Sequence, residues 1–173
     1  MTKDSFMSFY GTNKNADVLY DSLSTALSNE GILTPLTLLG ALATCRVEVG
    51  KELKPVLEKA TGDAYEGRVK NLGNTQVGDG RKFKGRGYIQ ITGRYNYETF
   101  GKKLGLDLIA NPELALDVNN AARILARFFK DRKVNVACDA KDWVKVRKLV
   151  NGGANGLEDF KSVVSQYLAK SGL

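Results

Sequence analysis

Apolar residues recur along most of this chain at intervals of three and four, the spacing that lines one face of a helix. Leu19, Leu23, Ala26 and Leu27 form the first such face. Asn15 ahead of them is a fitting N-cap for a helix running to about Ser28. Thr34 and Pro35 supply an N-cap and a first helical position, and Gly50 a stop, so a second helix is expected through about Glu48. Helical spacing returns at about Asn96–Leu104. Asp117 then caps "VNNAARILARFFKDR", where Ala121, Ile124, Leu125, Phe128 and Phe129 make one stripe. Trp143, Val146, Leu149 and Val150 mark another helix, closed by Gly152 and Gly153. Leu157, Phe160, Val163, Val164, Tyr167 and Leu168 mark the last. Such stripes are the buried sides of a helical core.

Between residues 60 and 94 the period vanishes. This stretch holds close to half of the chain's eighteen glycines, and "KFKGRGYIQIT" is its one good strand candidate, expected as half of a short hairpin. The expected fold class is therefore mainly α: one α-rich domain over 1–173 with a small glycine-rich hairpin lobe. "GILTPLTLLGALATC" (31–45) is too short to span a bilayer and contains Pro35, so it reads as a buried core helix. The start, "MTKDSFMSFYGTNKN", has no apolar run behind a basic beginning. No secretory signal and a cytoplasmic site of synthesis are expected from it.

Charge narrows the partners without choosing one. The chain carries a net charge of +7 with a pI near 9.4, a balance suited to nucleic acid, acidic lipid or an anionic cell envelope. Arg81, Lys82, Lys84, Arg86 and Arg94 with Phe83 and Tyr88 resemble a surface that stacks single strands, yet their alternation also fits a solvated hairpin. A basic helix with Lys141, Lys145, Arg147 and Lys148 is a candidate contact for anionic outer-membrane lipid. The glycines make no nucleotide loop. Gly85 is followed by Arg86 and Gly87 where a P-loop needs Lys and Ser or Thr, and neither Gly78-x-Gly80 nor Gly85-x-Gly87 has a third glycine. No cofactor is expected.

The chain has no histidine and two widely separated cysteines, Cys45 and Cys138. Histidine-based triads, histidine-ligated zinc and disulfide frameworks are thereby excluded, and the cysteines read as buried thiols. Acid–base chemistry falls to carboxylates. Glu48 stands near the end of an apolar helix, where the dipole disfavours negative charge, a setting that suits a carboxyl carrying a proton. Glu52, Glu58 and Glu66 are possible partners. A continuous helix would put Glu58 about 15 Å from Glu48, beyond the roughly 6.5–9.5 Å of inverting glycosidases. Gly50 and Pro55 interrupt it, however, and let the chain turn back. Glu66, in "DAYEGR", could also reach, and spacing does not separate the two.

The segment "GRGYIQITGRYNY" resembles the signature of glycoside hydrolase family 19, shared by plant-type chitinases and many bacteriophage endolysins. "ATCRVEVG", "KPVLEKATGDAYEGR" and "LVNGGANGLED" fall in the family's order, so the resemblance covers about 34–160. Gly73-Asn74 and "GDG" look closer to the phage branch. The resemblance implies a lysozyme-like α-rich fold and inverting hydrolysis of β-1,4 bonds between N-acetylated sugars. It implies Glu48 as general acid and Glu58 as the carboxylate that activates water, with Glu66 as competitor. It further implies Thr92 as the hydroxyl holding that water, and Gln90, Tyr95, Asn96 and Asn151 as sugar contacts. No metal or cofactor enters.

The phage branch implies peptidoglycan as partner, a monomer, and residence in the host cytoplasm until release to the cell wall. Chitin is the alternative on the same site, a transglycosylase a third, and a basic nucleic-acid-binding protein the alternative from another class. The chain departs from the family at Val47 and Val49, which replace a histidine and a hydroxyl residue around the first glutamate. It departs again at Phe160 and Lys161, where relatives often carry an arginine.

Overall fold

A computed structural model describes the whole chain, Met1–Leu173. The helices follow the apolar periods. α1 (Lys3–Met7) and α2 (Lys14–Asn29) precede α3 (Pro35–Val49), which Thr34 caps by accepting the N–H of Thr37 and Gly50 ends. The cap of α2 is Asn13, two residues before the expected Asn15, whose N–H Asn13 accepts. α3 is buried from Thr37 to Cys45, as an apolar run without a polar face demands. No helix is long and apolar enough to cross a membrane.

Residues 50–93 are mostly irregular. β1 (Val56–Leu57) is followed by a 3-10 turn at Asp63–Tyr65, then by the short helices α4 (Val69–Leu72) and α5 (Asp79–Lys82) and by β2 (Arg86–Gly87). The expected strand is thus only two residues long. It pairs antiparallel with β1, Val56 opposite Gly87 and Leu57 opposite Arg86, while Arg86 also bridges Ile91. The alternation of "KFKGRGY" misled here: Lys82 ends α5, and Phe83 is buried. α6 (Arg94–Leu104), a 3-10 stretch (Pro112–Leu116), α7 (Val118–Asp131), α8 (Val134–Asp139), α9 (Trp143–Asn151) and α10 (Leu157–Ser171) complete a mainly α architecture.

The apolar side chains gather in two clusters. The larger, of 27 buried residues, joins α2, α3, α7 and α10 and takes in Cys45 and Cys138, both free thiols. The smaller, of seven, joins Phe83, Ile91, Tyr97, Phe100, Leu108, Ala115 and Ile124. Ile89 and Phe128 touch both.

Candidate active site

Glu58 directly follows β1 and continues its pairing. Its N–H donates to the Gly85 carbonyl at 2.9 Å, and its Oε2 accepts the Gly85 N–H at 2.9 Å. Its Oε1 accepts the Tyr65 hydroxyl at 2.7 Å. A Cβ on Gly85 would lie 2.7 Å from Gln90 Oε1 and 3.2 Å from Glu58 Oε2. Glycine is what lets a carboxylate and an amide close over this piece of backbone.

Gln90 adopts a left-handed backbone with φ of 53°. Its Nε2 donates to the carbonyls of Val56 at 2.8 Å and Gly87 at 3.0 Å, tying β1 to β2, while its Oε1 packs over Gly85. The Thr92 hydroxyl donates to the Gln90 carbonyl at 3.0 Å, and Asn96 Nδ2 to the Thr92 carbonyl at 2.7 Å. Both side chains have spent a donor on the protein, so they present acceptor oxygens outward. Glu58, Gly85, Gln90, Thr92 and Asn96 therefore form one connected wall. Its last three members open into a cavity of about 240 Å³ that neither Glu48 nor Glu58 lines.

Glu48 lies on the last turn of α3, and the apolar setting expected for it is corrected. Arg147 of α9 donates to its Oε1, while Oε2 accepts nothing from the protein. The Arg147 side chain is 5% exposed and that of Glu48 21%. Arg147 Nε also donates to the Asn155 carbonyl at 2.8 Å, which Asn151 Nδ2 reaches at 3.1 Å. The turn after α9 is thus held against the end of α3. Arg147 is the functional residue that sequence reasoning missed, having grouped it with the solvent-facing Lys141, Lys145 and Lys148. Its position one turn before Asn151, beside buried Val146, was the available signal. Phe160, where relatives' arginine was sought, is core, and Lys161 pairs with Glu158.

The glycine-rich segment keeps its shape through two charges turned inward, Arg86 and Arg94, while Arg81 and Lys82 stay exposed. Arg86 is buried, pairs with Glu113 at 2.6 Å, and donates to the Lys82 and Lys84 carbonyls and the Tyr97 hydroxyl. Burial pushes the Tyr97 phenol up to about 12. Arg94 pairs with buried Asp79 at 2.6 Å, and this bond holds the Asp79 carboxyl below the usual range. Asn74 accepts the Arg94 N–H and donates to the Tyr65 carbonyl. Glu66 spends both oxygens on the N–H groups of Gly78 at 2.7 Å and Gly80 at 2.8 Å, a latch across the loop. Tyr95, 62% exposed, presents its ring and hydroxyl to solvent.

A family model described as chitinase class I, glycoside hydrolase family 19, matches residues 57–151. The chain belongs to glycoside hydrolase family 19. The matched stretch holds Glu58, Glu66, Gln90, Thr92, Tyr95, Asn96, Arg147 and Asn151, while Glu48 lies nine residues before it. A family 19 domain-containing protein of Haemophilus influenzae is 34% identical over 108 residues, 62% of this chain and 50% of that protein. An Arabidopsis thaliana endochitinase is 36% identical over 91 residues, 51% of this chain and 32% of that one. The match thus spans half or less of these relatives' own length. Chitinase C from Streptomyces griseus superposes with a TM-score of 0.73 at 19% identity, covering 99% of this chain and 76% of that chain. A class IV family 19 chitinase from Zea mays gives 0.69 at 21% identity over 90% of this chain and 80% of that one. At such identities these two likenesses speak for the family 19 fold alone.

Proposed function

We propose that this family 19 chain is a glycosidase of the bacteriophage endolysin type. It hydrolyses β-1,4 bonds between N-acetylmuramic acid and N-acetylglucosamine in peptidoglycan, with inversion. The observation that carries the reading is the closure of Glu58 and Gln90 over Gly85, beside the acceptor oxygens of Thr92 and Asn96. Glu58 takes a proton from a water that Thr92 Oγ1 helps to hold. The water oxygen forms the bond to the anomeric carbon, the glycosidic C–O bond breaks, and Glu48 Oε2 delivers a proton to the leaving oxygen. Arg147, engaged on Oε1, fixes which oxygen does so. Tyr95 offers an exposed ring for stacking on a sugar.

Glu58 is preferred to Glu66 because it closes with Gln90 over Gly85, whereas Glu66 is the latch that holds the Gly78 and Gly80 N–H groups. A net charge of +7 favours approach to an anionic wall. The endochitinases among the relatives favour a second reading, chitin hydrolysis on the same residues. Mass spectrometry of fragments released from purified peptidoglycan tests the proposal. Reducing N-acetylmuramic acid ends are expected. Anhydro ends mean a transglycosylase, and release from chitin alone means a chitinase.

A further inference from the structure

The cavity beside Asn96 is walled by Leu72, Ile89, Ile91, Phe100 and Phe128 and ends at Asp131 and Arg132 on α7 and just beyond it. Asp131 is neutralised by Lys103 at 2.7 Å and Arg127 at 2.9 Å. Arg132 has no such partner: its guanidinium makes no ion pair and no hydrogen bond with the protein. It lies instead 4.8 Å from the centroid of the Phe128 ring, which orients a side chain otherwise free to wander. Phe128 belongs to the apolar stripe of α7, yet it is only half-buried where Ala121, Ile124, Leu125 and Phe129 are buried. Arg86, Arg94 and Arg147 are each consumed in an ion pair; Arg68, 5.8 Å from the Tyr65 ring centroid, is unpaired but does not line this cavity.

Arg132 is exposed and borders the cavity, and an unpaired guanidinium there presents a fork of donors that matches a carboxylate. Neutral chitin has none to give. A muramic sugar carries one on its lactyl arm, or, where that arm is capped, on the stem peptide that extends from it. We infer that Arg132, held on Phe128, is a specificity-determining residue that binds a carboxylate on the side arm of the glycan and separates acidic strands from neutral ones. The inference rests on the peptidoglycan reading above.

The test compares kcat/KM on three soluble strands of equal sugar length: stem-bearing peptidoglycan, peptide-stripped strands with free lactyl carboxylates, and chito-oligosaccharide. In Arg132→Gln the ratio of acidic to neutral kcat/KM is expected to fall about tenfold through KM, with Arg132→Lys recovering part of it. The acidic strand with the larger fall names the source of the carboxylate. An unchanged ratio, or equal loss on all three, overturns the inference while leaving the peptidoglycan reading in place. A wild-type protein that cuts the neutral strand and neither acidic one overturns both.

Discussion

Arg147, one helical turn before Asn151, donates to the carboxylate of Glu48 and so joins α9 to the end of α3. One guanidinium thereby sets the orientation of the proposed acid and holds the turn at Asn155. Arg147→Ala is expected to cost on the order of 2 kcal/mol, less than a fully buried pair because Glu48 stays partly solvated. It should also lower turnover. Thermal unfolding and peptidoglycan hydrolysis measured on one preparation check both effects.

Glu48→Gln keeps an acceptor for Arg147 but cannot deliver a proton. Activity is expected to fall about 10²–10⁴-fold, with a melting temperature close to that of the wild type. Full activity in this variant would remove Glu48 from the chemistry.

Glu58→Gln and Glu66→Gln should separate in turnover. The first is expected to lose activity, with a stability loss comparable to that of the second, since its carboxylate likewise accepts the Gly85 N–H and the Tyr65 hydroxyl. The second gives up one charged acceptor for the Gly78 and Gly80 N–H groups and should lose about 1–2 kcal/mol of stability while retaining turnover. Reversal of the pattern would make Glu66 the base. Retained activity in both would favour a one-acid transglycosylase.

Gly85→Ala places a methyl 2.7 Å from Gln90 Oε1 and 3.2 Å from Glu58 Oε2. One of the two must move. We expect a stability loss of about 1–3 kcal/mol and a larger proportional loss of kcat than of substrate affinity, read from steady-state kinetics.

The Arg94 hydrogen bond depresses the Asp79 carboxyl in the folded protein. The unfolded chain therefore binds that proton at higher pH than the folded one does. The contribution is in place above the ordinary carboxylate pKa of about 3.9 and is lost as the pH falls through the lower folded value. Melting temperature should drop on acidification below about pH 4, and the acid-dependent part of that drop should shrink in Asp79→Asn.

The longer helices α2, α3, α6, α7, α9 and α10 were legible because each buries an apolar stripe, and four of them carry a cap where a side-chain oxygen meets a free N–H. The short α1, α4, α5 and α8 were not anticipated. α3 is the clearest case, from Thr34 to Gly50. The glycine-rich stretch was legible only as irregular. Its shape rests on Arg86–Glu113, Arg94–Asp79 and Glu66 with Gly78 and Gly80, contacts between residues 12 to 27 positions apart that leave no local period. The cap of α2 slipped by two residues because Asn13 and Asn15 are both competent, and the one whose carbonyl oxygen reaches the other's N–H takes the role. The site residues were found through resemblance and the lack of histidine. Arg147 escaped because charge alone does not tell a buried partner from a solvated neighbour.

The two apolar clusters meet through Ile89 and Phe128. Glu48 rides on α3, part of the larger cluster, and Glu58 on a two-residue ladder whose far strand flanks the smaller one. The separation of the carboxyls is thus set by how the two clusters pack, with α7 contributing to both, and not by one stretch of backbone. Substitutions at Ile89 or Phe128 would then shift the distance between Glu48 and Glu58 while leaving each carboxylate's own hydrogen bonds in place.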